Sequence, residues 1–140
     1  MESRDLLRHQ IIEILITHRT ENVADAAVIV WEKLATEIIT VVGEDGFNSL
    51  YARSVFLAQR TFPWLAARSL SPQSDHRFAE LKISLAEQAP VQARVANILL
   101  LITFTDILTS LIGEALTTRI LRSAWGNLAS VTSAKEPDNE

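Results

Sequence analysis

Cysteine is absent from this chain. With it go disulfide staples, zinc–thiolate sites, iron–sulfur clusters and a cysteine nucleophile. Glycine and proline are scarce, four of each in 140 residues, which leaves few places to break a helix and excludes a collagen-like or low-complexity chain. Alternating polar and apolar runs bounded by turns, the mark of a half-buried strand, are missing as well. Basic charge is not in excess either. Thirteen Lys and Arg stand against seventeen Asp and Glu, and three of those acids lie in the last six residues. The remaining body is close to neutral and lacks the positive field that non-specific nucleic-acid binding needs. Behind Met1-Glu-Ser-Arg-Asp5 no uninterrupted apolar run follows. The N-terminus therefore does not read as a signal peptide, and the expected location is cytoplasmic.

What is present is apolar spacing at the helical period. Apolar residues make up 48% of the chain, enough for one globular domain of ordinary size. The spacing predicts a first helix over 4–18, capped by Ser3, with Leu7, Ile11, Ile14, Leu15 and His18 on one face. A second helix is predicted over 23–42. Val23, Ala27, Val30, Leu34 and Val41 recur at steps of three and four, flanked by Trp31, Ala35, Ile38 and Val42. Gly43-Glu-Asp-Gly46 reads as a turn, and a third helix follows over 47–62, presenting Phe47, Leu50, Tyr51, Ser54, Val55 and Ala58 until Pro63 stops it. Pro63 to Pro72 reads as a connection packed on the body by Trp64, Leu65 and Leu70. A fourth helix from about Gln73 to Gln88 turns Phe78, Leu81 and Leu85 inward. Pro90 opens a fifth that reaches Ile112 and is apolar all round its middle, as a central bundle helix is. Gly113 separates a sixth that carries Leu116, Ile120, Leu121, Ala124 and Trp125 and ends at Gly126. The predicted fold is all-α, a compact bundle of five or six helices in one domain over 1–131, with a disordered tail over 132–140.

The fifth helix also raises the question of a membrane. Ile98 to Ile102 is strongly apolar, but Asp106 and several hydroxyl residues follow. A carboxylate near mid-span costs about 2.5–3.5 kcal/mol, and roughly 20 clean apolar residues are wanted. A buried helix is the expectation, and membrane insertion is not.

The chain also resembles itself at an offset of 70 residues. Val42, Gly43 and Glu44 match Ile112, Gly113 and Glu114; with one residue deleted, Phe47 then matches Leu116, Arg53 matches Arg122 and Ser54 matches Ser123. Two three-helix repeats, about 3–70 and 73–126, related by a pseudo-two-fold axis, are the expectation. Glu44 and Glu114 fall just after each break, at a helix N-terminus where a carboxylate is favoured. Arg53 and Arg122 lie too far along to be their neighbours on the same helix. The duplication therefore suggests crossed structural pairs, Glu44 with Arg122 and Glu114 with Arg53.

Chemistry is thin. His9, His18 and His76 form none of the familiar metal spacings, and no phosphate loop or nucleophile elbow is present. Neither a metal nor a cofactor is expected. Asp106, on the most apolar helix, must be paired or protonated if buried, and an Arg of a neighbouring helix is the expected partner. Two functions fit these residues. One is a non-enzymatic interaction or regulatory module that self-associates or binds a protein partner, because the first and fifth helices are apolar on more than one side. The other is a sensor of small organic anions, with a pocket between the repeats lined by Trp31, Arg53, Arg122 and Trp125.

Overall fold

The few caps and breakers in the sequence decide where the helices begin and end. A computed structural model describes residues 2–17, 22–66 and 78–133. Among them run α1 (Glu2–Thr17), α2 (Val23–Ala58), α3 (Ala79–Ala86), α4 (Pro90–Ile112) and α5 (Glu114–Ser133), with no strand. The Asn22 side chain caps α2 by accepting from the backbone N–H groups of Ala24 at 2.9 Å and Asp25 at 3.4 Å. Pro90 occupies the first turn of α4, where its missing N–H costs nothing.

Two glycines redirect the chain. Gly43 divides α2 into helical stretches 23–42 and 44–58 with φ 85° and ψ 166°. Gly113, between α4 and α5, has φ 93° and ψ 159°. That region is essentially closed to residues with a Cβ. One such residue turns the chain, so the helix resumes at Glu44 and not at Phe47, and Gly46 is helical. Gly126 likewise lies inside α5, which continues to Ser133. A glycine lowers helix propensity by about 1 kcal/mol but does not end a helix unless φ turns positive.

The core forms where α2 and α4 meet. Val30, Trp31, Leu34 and Ile38 pack there with Leu100, Leu101, Phe104 and Leu108, all shielded from solvent. The short helices cross over: α1 rests on α4 and α5, whereas α3 rests on α2 and α4. The hydroxyls of Ser54, Thr105 and Thr117 are buried too, each donating to a carbonyl of its own segment. This back-bonding lets the hydroxyls of a threonine-rich helix enter the core with their donors used.

Four expectations about facing need correction. Ile14, Val41 and Leu116, expected inward, are exposed, and Thr117 takes the inward position in α5. The middle of α4 is not covered all round: Ile98, Leu99 and Ile102 are only half-buried. The reason is common to all four. Where apolar residues crowd neighbouring positions, only contact with another helix selects the buried ones. α2 ends at Ala58, four residues before Phe62, and α1 begins before Ser3. The following turn is packed as expected, with Leu65 buried and the Gln59 side-chain amide donating to its carbonyl at 2.8 Å. His18, His76, Leu70, Pro72, the start of the fourth helix and the last seven residues of the tail lie outside the described residues. α4 is the one helix among those described that is long and apolar enough to cross a membrane; 39% of its most apolar window is buried inside the protein.

Candidate functional site

The most polar junction in the described structure lies where α1 meets α4 and α5. Arg8 is in phase with Ile12, Leu15 and Ile16, so the face of α1 that enters the core brings a guanidinium with it. Its apolar stem packs while its planar fork reaches acids on two helices. The terminal nitrogen donates to Asp106 Oδ1 at 2.9 Å, and Nε stands 3.8 Å from Glu114 Oε2. His9 Nε2 contacts the same Asp106 oxygen at 3.0 Å. Asp106 is therefore paired with an arginine of another helix, but it is not buried: its side chain is 47% exposed, and Arg8 is the buried partner. Glu114 is the first residue of α5, where the exposed N–H groups favour a carboxylate. Arg8 thereby ties α1 to acids on α4 and α5.

A second, aromatic cluster lies inside the core. Trp31 touches Phe104 at 5.2 Å and Tyr51 at 5.3 Å in edge-on geometry, with Phe78 at 5.8 Å. Its indole N–H donates to Asn97 Oδ1 at 3.0 Å, while the Asn97 amide nitrogen is buried with no hydrogen-bond partner among the described residues. Burial, and secondarily the negative Glu80, push the Tyr51 hydroxyl above the usual phenol range. Trp125 donates to the Val30 carbonyl at 3.1 Å.

The expected ligand pocket does not assemble. Trp31 and Trp125 are interior residues with their N–H groups used inside the core, while Arg53 and Arg122 are exposed on α2 and α5. The crossed pairs do not form among the described residues either. Glu114 stands against Arg8, because the helix that reaches it is α1. Arg8 and Asn97 do not stand out in the sequence, and His9 enters it only as a histidine without a metal spacing. Arg8 could still have been found, as a lone charge in phase with Ile12 and Leu15. Asn97 likewise shares a face with Ala93, Leu100 and Leu101.

The outer side of α5 carries a recess of about 400 Å³ lined by Ala115, Leu116, Thr118, Arg119 and Arg122. Among the described residues no cluster of His, Asp and Glu could hold a metal ion. No family model, curated protein or solved structure matches the chain.

Proposed function

We propose that the protein is a non-enzymatic helical interaction module that associates with a second copy of itself through the outer face of α4. The observation that carries this is the exposure of Val91 (67%) and Val95 (49%). Half-buried Ile98, Leu99 and Ile102 continue the same stripe at helical spacing. From Val95 to Thr105 no residue is charged, so nothing in the stripe repels an identical stripe related by a two-fold axis. Membrane insertion fits less well. The opposite face of α4 is fully used against α2, and a span would have to strip Leu100, Leu101, Phe104 and Leu108 from the core. Surface attachment to anionic lipid calls for a basic flank, and α4 offers Arg94 alone. A cytoplasmic location accords with a chain that has no cysteine.

Sedimentation velocity over a concentration series tests the reading. The wild type is expected to run above the 15.6 kDa of one chain, and Val91→Lys/Val95→Lys to run at that mass with its helical signal intact. A wild type that stays at one chain throughout would remove the basis for self-association.

We also infer that the chain consists of two related helix triplets, α1 with α2 and α3 with α4 and α5. Support comes from the matching conformations of Gly43 and Gly113. It comes also from burial in register at a constant offset of 70, without the deletion expected from the sequence. Ala27 and Asn97, Val30 and Leu100, Trp31 and Leu101, Leu34 and Phe104, Ile38 and Leu108, Phe47 and Thr117, Leu50 and Ile120, and Ser54 and Ala124 are all buried. In the same register Phe78 corresponds to Arg8. One half thus has an aromatic ring in its cluster where the other has a guanidinium and its acids.

A further inference from the structure

We propose that the recess on α5 binds an amphiphilic organic anion, a carboxylate or phosphate monoester with a short apolar tail. Ala115, Thr118, Arg119 and Arg122 recur at steps of three and one, so they line a single side of the helix, and exposed Leu116 borders them. Arg119 and Arg122 are like charges on adjacent turns, an arrangement that costs free energy unless an anion sits between them. Among the described residues neither takes part in an ion pair; the nearest acid in sequence, Glu114, is turned toward Arg8. Among the described residues, then, the recess presents two planar donors with no carboxylate paired to them. Guanidinium groups match carboxylate and phosphate oxygens in bidentate geometry. The Thr118 hydroxyl offers a third donor, and Ala115 with Leu116 supplies the apolar wall for a tail. A volume of about 400 Å³ suits a small ligand and not a macromolecule. This site shares only Arg122 with the pocket expected from the sequence and does not depend on self-association through α4.

Titration with octyl phosphate, followed by amide chemical shifts of the full chain, tests the proposal. Saturable shifts are expected over residues 115–122, with inorganic phosphate binding more weakly and 1-octanol not binding there. Arg119→Gln/Arg122→Gln alters only exposed side chains and relieves their mutual repulsion, so its melting temperature should equal or slightly exceed the wild type while octyl phosphate affinity falls at least about tenfold. A second arm measures co-sedimentation with phosphatidic acid vesicles against phosphatidylcholine vesicles. Saturation by octyl phosphate identifies a soluble anion as the source. Arginine-dependent binding to phosphatidic acid vesicles alone identifies a lipid headgroup. Equal binding of the double variant in whichever arm responds, or no response in either arm, would overturn the site.

Discussion

Replacing the glycines one at a time by alanine separates backbone conformation from packing, because the four sites differ in only one respect each. At Gly43 and Gly113 an added Cβ would meet nothing within 4 Å, so no neighbour resists it. Their φ values, +85° and +93°, are the whole obstacle. Forcing a side-chain-bearing residue into that region costs about 1–3 kcal/mol. Gly126 is helical with open space around it, so alanine there gains helix propensity worth about 1 kcal/mol. At Gly46 the new Cβ would come within 2.9 Å of Val42 Cβ, a branched carbon that cannot swing aside, and the clash should exceed the propensity gain. Urea unfolding measures all four. With a slope of about 2 kcal/mol per molar, Gly43→Ala and Gly113→Ala should each lower the midpoint by roughly 0.5–1.5 M, Gly46→Ala should lower it too, and Gly126→Ala should raise it by about 0.5 M. If Gly43→Ala or Gly113→Ala stabilised the chain as Gly126→Ala does, the redirected backbone described at those two residues would be wrong.

Tyr51 is the sole tyrosine of the chain, so tyrosinate absorbance reports it alone. Its hydroxyl loses the proton less readily folded than unfolded. The unfolded state therefore ionises first, near pH 10, and stability present below that pH declines as pH rises above it. Tyr51→Phe should flatten that alkaline decline, and an unchanged slope would argue against a shielded hydroxyl. Arg8→Met keeps the volume of the buried stem but removes its charge-assisted bonds, and should cost about 1–3 kcal/mol. Asp106→Asn should cost less than about 1 kcal/mol, because Asp106 is half in water. Equal losses in urea unfolding would mean that the exposed acid contributes as much as the buried guanidinium to holding α1 in place.

The helical class was legible because the periodicity of Val30, Leu34 and Ile38 admits no other element, and the two redirecting glycines were legible as breaks. Which side of each helix turns inward was less so. Ile11, Ile12, Ile14, Leu15 and Ile16 crowd one helix, and the spacing alone cannot tell that Ile12 is buried and Ile14 exposed. Contact with α4 and α5 makes that choice, and it carries Arg8 inward with Ile12. The sequence marks Asp106 as an acid in need of an arginine, but its partner depends on which helices touch, information that lies seventy or more residues away in the chain. The same limit explains the crossed pairs: the duplication points Glu114 to Arg53, while α1 brings Arg8 to it. The indole groups of Trp31 and Trp125 were open to either a core or a pocket role, and hydrogen bonds to Asn97 and the Val30 carbonyl commit both to the core.

Mixing isotope-labelled and unlabelled chains and recording intermolecular nuclear Overhauser effects examines the outer face of α4 most directly. Methyl groups of Val91, Val95, Ile98 and Ile102 should show contacts to protons of a second copy. Absence of such contacts at concentrations where the mass exceeds one chain, or contacts arising from Phe56 on α2 instead, would contradict the assignment of α4 as the surface through which two copies meet.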